Sequence, residues 1–215
     1  NNKVTYQGLG DAINILRDWN YKTAIGSKAM TLAHYYGTAV YRSGTRPEPM
    51  DFMTYFSYFG TESPEEERLQ IFTDVLTQLT LDFGTWELPW GDVNRYQRLN
   101  GDIRQEFDDS KPSIPVGFAS GRWGALAAYG VSYRTEGAKK IYGTRGNSFV
   151  AVVEFGDKVK AKSMLAGGQS GNPKSPHFND QAQRYADMEF KDVLYYKDDV
   201  MANAVTTYQP GEKIE

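Results

Sequence analysis

Apolar residues recur at helical spacing through the first part of the chain and give way to strand-like runs beyond about residue 95. Leu9, Ala12, Ile13, Leu16 and Trp19 fall three or four positions apart, which places them on one face of an amphipathic helix. A second helix is predicted from about Ser27 to Tyr41, and a third, aromatic one from Asp51 to Phe59. The fourth has the clearest start: Ser63 can cap, Pro64 suits the first helical position, and Glu66 completes a capping box. Leu69, Phe72, Val75, Leu76, Leu79 and Phe83 then form its buried stripe.

The second part reads as β structure. In Asn147 to Phe155, Phe149, Ala151, Val153 and Phe155 share one face and Val150 and Val152 the other, so both faces are apolar. Such a strand needs cover on both sides, as at the centre of a layered sandwich. Gly156-Asp157 predicts a tight turn and Val159 to Ala166 a partner strand. Further strands are expected at Leu126–Tyr129 and Val131–Arg134, with helices near Asn179–Met188 and Asp198–Ala204. Between them, Trp86 to Phe118 is rich in Gly, Pro, Asp and Asn and reads as long irregular loops. A doubly apolar strand and its hairpin cannot hide both faces without helices or another sheet. The expected organisation is therefore one α+β unit over residues 1–215. Residues 1–95 would be mainly helical, and 96–215 mainly antiparallel strands with C-terminal helices.

Composition adds limits. With 40% hydrophobic and 24% charged residues the chain is that of a folded protein. At this length folding buries roughly 70% of the surface of the extended chain. There is no cysteine, which removes disulfides, thiolate metal sites and a thiol nucleophile together. A net charge of -3 gives no electrostatic reason for a nucleic-acid or anionic-membrane partner. No run approaches the roughly 20 apolar residues of a membrane span, and residues 1–25 carry no basic segment followed by an apolar stretch.

The chemical constellations are sparse. The two histidines are His34, in a helical segment beside Tyr35 and Tyr36, and His177, in the turn Ser175-Pro176-His177-Phe178-Asn179-Asp180. Neither has a partner at metal-ligand spacing. His34 reads as a packing residue, and His177 as a hydrogen-bonded loop histidine with Asn179 or Asp180 capping the next helix. Glu65-Glu66-Glu67 and Asp198-Asp199 suit helix starts, and Asp108-Asp109 a polar loop. Nothing in their spacing fixes the separation that a two-carboxylate glycosidase needs. Gly167-Gly168-Gln169-Ser170-Gly171 and Gly117-Phe118-Ala119-Ser120-Gly121 lack the Gly-Lys-Ser/Thr continuation of a phosphate loop. No residue is assigned a catalytic or metal-binding role, the ligand-binding residues are left open, and no cofactor is expected.

Tyr142-Gly143-Thr144-Arg145-Gly146-Asn147-Ser148-Phe149, continuing as Val-Ala-Val-Val-Glu-Phe, resembles a late β-chain strand of the penicillin acylase family. So does the sequel: Gly168-Gln169-Ser170-Gly171-Asn172-Pro173, then Ser175-Pro176-His177-Phe178 and Asn179-Asp180-Gln181. This pattern is most similar to the branch of acyl-homoserine-lactone acylases and aculeacin acylase. Arg98-Leu99-Asn100-Gly101-Asp102, Pro115-Val116-Gly117 and, more weakly, Asp11-Ala12 with Leu16-Arg17-Asp18-Trp19 extend the resemblance over nearly the whole chain.

The resemblance implies an N-terminal-nucleophile hydrolase with a four-layer αββα sandwich. A serine freed at the start of the β chain attacks an amide carbonyl with its own α-amine as base. Backbone N–H groups and an asparagine side chain hold the oxyanion. This chain begins Asn1-Asn2-Lys3, which offers no nucleophile, and the resembling segments belong to the far end of the β chain. The expectation is a C-terminal part, inactive by itself. Its partner would be the upstream part of the same acylase, meaning the α chain and the N-terminal β-chain region, and its complete form would take an N-acyl amide in a periplasmic or extracellular setting. In that complete form the strand through Val150 and Val152 would be covered on both sides. Two other readings stay open: a non-catalytic binding module with Trp86, Trp90, Tyr96 and Trp123 as an aromatic platform, and a self-contained glycosidase.

Overall fold

The computed structural model describes residues 5–132 and 137–212; the terminus Asn1-Asn2-Lys3 and the Arg134 end of the strand expected from Val131 lie outside them. The protein is α+β and forms two compact units. One holds the described residues up to Asn147 with Gly171–Pro173, the other Ser148–Ser170 with the residues from Lys174 onward.

In the first unit polar residues just outside each helix take up the free N–H groups of its first turn. Thr5 Oγ1 accepts from Gly8 N at the start of α1 (Tyr6–Arg17), and Ser27 Oγ from Met30 N at the start of α2 (Lys28–Ser43). Asp51 accepts from the Met53 and Thr54 amides and the Thr54 hydroxyl ahead of α3 (Phe52–Thr61), and these bonds, led by the hydroxyl, hold its carboxyl below the usual range.

The capping box expected ahead of α4 (Glu65–Phe83) does not form. Pro64 is the cap residue and makes no side-chain bond, while Ser63 is buried and donates its hydroxyl to Phe59 O at 2.6 Å. Ser63 sits at the corner between two helices, and the free carbonyls that end α3 claim the hydroxyl first. Glu65, Glu66 and Glu67 still meet the positive end of α4. Gly84, with φ of 83°, ends it in the left-handed conformation.

Helix α2 packs on α1, α4 and the short α5 (Trp90–Val93). Leu32, Val40, Phe72, Leu76, Leu79 and Trp90 are buried in this unit. Tyr55 closes the α2–α3 corner by donating to Val40 O at 2.8 Å.

Beyond α5 runs a four-stranded sheet of β1 (Asn94–Tyr96), β2 (Ile114–Pro115), β3 (Tyr129–Ser132) and β4 (Ile141–Gly146), in the order β2-β1-β4-β3. The expectation of antiparallel strands is corrected here, because β1 pairs with β4 in parallel, Asn94 opposite Ile141. Parallel neighbours need a long crossover, and the chain between Tyr96 and Ile141 supplies it while adding β2 and β3 at the two edges. The strand expected at Leu126–Tyr129 is also corrected. Leu126 is exposed, and β3 begins only at Tyr129, after Ala128 has bridged to Ala119.

The second unit is built on the hairpin of β5 (Phe149–Glu154) and β6 (Lys160–Leu165), paired from Phe149↔Leu165 to Glu154↔Lys160. It also holds α6 (Ala182–Ala186), the short strand β7 (Lys191–Asp192) and α7 (Lys197–Asn203). The sheet order is β5-β6-β7, so β5 is an edge strand. Helix α6 packs on β6, and Met164, Phe178, Ala182 and Tyr185 are buried. Tyr196 OH accepts from Val159 N at 2.9 Å and Lys158 pairs with Asp199 at 2.8 Å, which ties the start of α7 to the turn of the hairpin. The cover expected over both faces of β5 does not come from the described residues of this chain: Phe149 is 61% and Val152 59% exposed. Among the described residues no helix is long and apolar enough to cross a membrane.

Candidate functional site

The segment Gly167 to Gln181 folds back on itself between β6 and α6. Gly167, with φ of 86°, accepts from Gln181 N at 2.8 Å. Ser170 N donates to His177 O at 3.0 Å, and Ser175 accepts twice, from His177 N on its hydroxyl and from Phe178 N on its carbonyl. The turn puts His177 Nδ1 2.9 Å from Asp180 Oδ2, with the imidazole largely exposed. Gly168 has no room for a side chain, since a methyl group there would collide with the His177 carbonyl and lie 2.8 Å from Asp180 Oδ1. His177 is therefore the hydrogen-bonded loop histidine expected from the sequence. The capping role is corrected: Asp180 is spent on His177, and α6 starts from Gln181 with no side-chain cap. A histidine oriented by a carboxylate is the base end of a nucleophile–base–carboxylate arrangement, while the Ser175 hydroxyl in the same turn accepts the His177 backbone N–H.

His34 is a packing residue. It is 2% exposed, with ring centroids 4.7 Å from Trp90, 5.9 Å from Tyr35 and 6.3 Å from Trp123. Desolvation, helped by the positive charge of Arg42, pushes its pKa down to about 3, so the imidazole is neutral at physiological pH.

The aromatic platform is likewise corrected. Trp90 is fully buried and donates its indole N–H to Phe118 O at 3.0 Å. Trp123, in a 3₁₀ turn (Gly121–Trp123), lies among Phe52, Phe56 and His34, and Trp86 and Tyr96 are part-buried. Trp90 is used as core, with its apolar faces and its N–H both satisfied, and Trp123 packs against rings of α3.

Asp109 organises the loop side of the sheet. Its Oδ1 accepts from Tyr142 OH at 2.8 Å and its Oδ2 from Lys139 N at 2.8 Å and Lys140 N at 3.3 Å. Burial first, then the bond to Asp109, raises the Tyr142 phenol well above its ordinary range. Asp108 accepts from the Ser110 hydroxyl and amide, which lower its pKa. A cavity of about 580 Å³ opens here, lined by Leu99, Glu106, Phe107, Asp108, Asp109 and Ala138 among others. Both aspartates are already satisfied by the protein, and no group of three or more acidic or histidine side chains among the described residues could hold a metal ion. The acidic pair at Asp198-Asp199 opens α7, as its sequence suggests.

Three buried or half-buried polar residues escape sequence reasoning. Asn94 donates from one amide nitrogen to Val116 O at 2.7 Å and Phe118 O at 3.0 Å. Gln97 accepts from Asp108 N at 2.8 Å and donates to Asp108 O at 2.9 Å. Arg95 donates to Gly91 O, Ser113 Oγ and Ser113 O. Together they hold the irregular chain between β1 and β2. A signal was present in the polar cluster Asn94-Arg95-Tyr96-Gln97, though residue type alone does not separate a backbone anchor from an exposed loop.

Residues 3–202 match the family model described as penicillin amidase, a match that takes in α1 through most of α7 and the whole Gly167–Gln181 turn.

Proposed function

The chain belongs to the penicillin amidase family, and from that premise we propose that it is the C-terminal structural part of the β chain of an acylase cleaving linear N-acyl amides. The family consists of hydrolases acting on amides. The finer placement, in the branch of acyl-homoserine-lactone and aculeacin acylases, rests on the motif from Gly168 to Gln181. The observation that carries the reading is the extent of the match, residues 3–202, across a chain whose own side chains are engaged in building structure.

On this reading the nucleophile is a serine in the upstream part of the same protein, its natural partner. The serine hydroxyl attacks the amide carbon and passes its proton through the α-amine to the leaving amine. The C–N bond breaks, an acyl ester remains on the serine, and water then releases the acid. Residues 1–215 supply a scaffold for that centre and none of its reacting groups, and the setting is periplasmic or extracellular. In support, His34 is buried and neutral, and the His177 ring is engaged by Asp180 through Nδ1.

The reading is tested by assaying amine release from linear N-acyl amides with the chain alone and with the longer polypeptide containing it. Turnover by the longer polypeptide only is expected. Turnover by residues 1–215 that survives repurification would overturn the reading.

A further inference from the structure

Asn100 is the one asparagine of the chain that a glycine follows. Its side chain closes an Asx turn, in which Oδ1 accepts from Asp102 N at 3.0 Å and from Gln105 Nε2 at 2.9 Å. Asp102 N–H fixes the orientation of the amide, because the reverse would set its NH2 group against another donor. Since Oδ1 reaches an amide on the far side of Gly101, the side-chain carbonyl lies across the Gly101 peptide unit. The Asn100 NH2 group and the Gly101 N–H, by contrast, donate to no group among the described residues. Gly101 has no side chain to shield its nitrogen and can carry none, since a methyl group there would collide with the Gly171 carbonyl. Asn94 is arranged in the opposite way. It is fully buried, and its amide nitrogen is bound to Val116 O and Phe118 O.

We propose that Asn100-Gly101 is a site of spontaneous deamidation in the folded chain. Gly101 N gives up its proton to hydroxide and attacks Asn100 Cγ. The bond from Cγ to Nδ2 breaks, the nitrogen takes a proton from water and leaves as ammonia, and a five-membered succinimide remains. Water then opens the ring at either carbonyl, giving aspartate or isoaspartate. Water and hydroxide are the only other reactants, and nothing is oxidised or reduced. The turn holds the electrophilic carbon against the attacking nitrogen, which raises the effective concentration of one at the other. The attacking N–H and the departing NH2 group are the two groups that the fold leaves unbound. The aspartate product keeps an acceptor for Asp102 N and Gln105 Nε2. The isoaspartate product carries an extra backbone methylene beside Gly101, where the Gly171 carbonyl leaves no room, and so loosens the loop.

The test is peptide mapping by mass spectrometry after incubating the folded chain in mildly alkaline buffer. Trypsin, cutting after Arg98 and Arg104, isolates residues 99–104. This fragment should gain the mass difference between an acid and an amide, in two separable forms, several-fold faster than a free synthetic peptide of the same sequence. The fragment that contains Asn94 should stay unchanged. Gln105→Met removes one donor to Asn100 Oδ1 and should slow the gain toward the rate of the free peptide, with an unchanged circular dichroism spectrum. A folded wild-type chain that converts no faster than the free peptide would overturn the proposal, whether or not the variant folds. So would a folded Gln105→Met chain that converts as fast as the wild type. None of these outcomes touches the hydrolase reading, which amine release alone decides.

Discussion

Gly37 lies under the indole of Trp123 with no space between them: a methyl group on Gly37 would sit 2.8 Å from the ring carbon Cη2. The contact joins α2 to the 3₁₀ turn, and Phe52 and Phe56 of α3 complete the walls around the ring. Gly37→Ala should therefore destabilise the protein by about 1–3 kcal/mol, although alanine is the better helix former. Chemical denaturation reads this directly. Adding Trp123→Phe should recover part of the loss, since the smaller ring relieves the same collision. Purely additive effects of the two substitutions would contradict the contact.

Stability should fall with acid in a way traceable to His34. Its folded pKa of about 3 lies below the ordinary imidazole value of 6.5, so the unfolded chain binds the extra proton between those values. The contribution is complete above pH 6.5 and is lost progressively as pH falls toward 3. His34→Gln removes the titration; it lowers stability overall and flattens the slope between those two pH values. An identical slope in wild type and variant, measured by denaturation at a series of pH values, would contradict the burial of a neutral imidazole.

The turn from Gly167 to Gln181 is held more by backbone fit than by the His177–Asp180 hydrogen bond. Gly168→Ala forces a methyl group into the His177 carbonyl and should cost more than about 2 kcal/mol. Asp180→Asn retains the shape and weakens a pair whose side chains are 70% and 38% exposed, and should cost less than about 1 kcal/mol. Thermal melts of the two variants rank them; the reverse order would mean that the carboxylate, not the glycine, sets the turn.

The first four helices were legible because their starts and stripes are local properties of the chain. Ser27 and Asp51 cap as their chemistry suggests, and Phe72, Val75, Leu76 and Leu79 are buried on α4 as their spacing requires. Ser63 was misread because its hydroxyl had two possible partners, and only the α3–α4 corner decides between them. Strand β4, in Tyr142-Gly143-Thr144-Arg145-Gly146, is marked only by the family resemblance, because its glycines argue against a strand. Gly143 is needed because the ring of Tyr129 lies directly over it. The parallel pairing of β1 with β4 joins residues far apart in sequence, and no local pattern reports it. The hairpin of β5 and β6 was legible and its surroundings were not, since the apolar pattern states a need for cover without naming what supplies it. At the candidate site the motif marked the turn, but the bonds of Asp180 to His177 and of Asp109 to Tyr142 come from three-dimensional placement.

The central claim, that this chain is the structural C-terminal part of an N-acyl amide hydrolase, is tested most directly by amine release from the longer polypeptide with and without residues 1–215. Acyl-homoserine lactones, penicillin-type amides and acylated lipopeptides serve as the substrates. The account predicts hydrolysis of at least one of them by the longer polypeptide, none by residues 1–215 alone, and none by the polypeptide lacking them. Full activity in the polypeptide lacking residues 1–215, or sustained turnover by those residues alone, would contradict it.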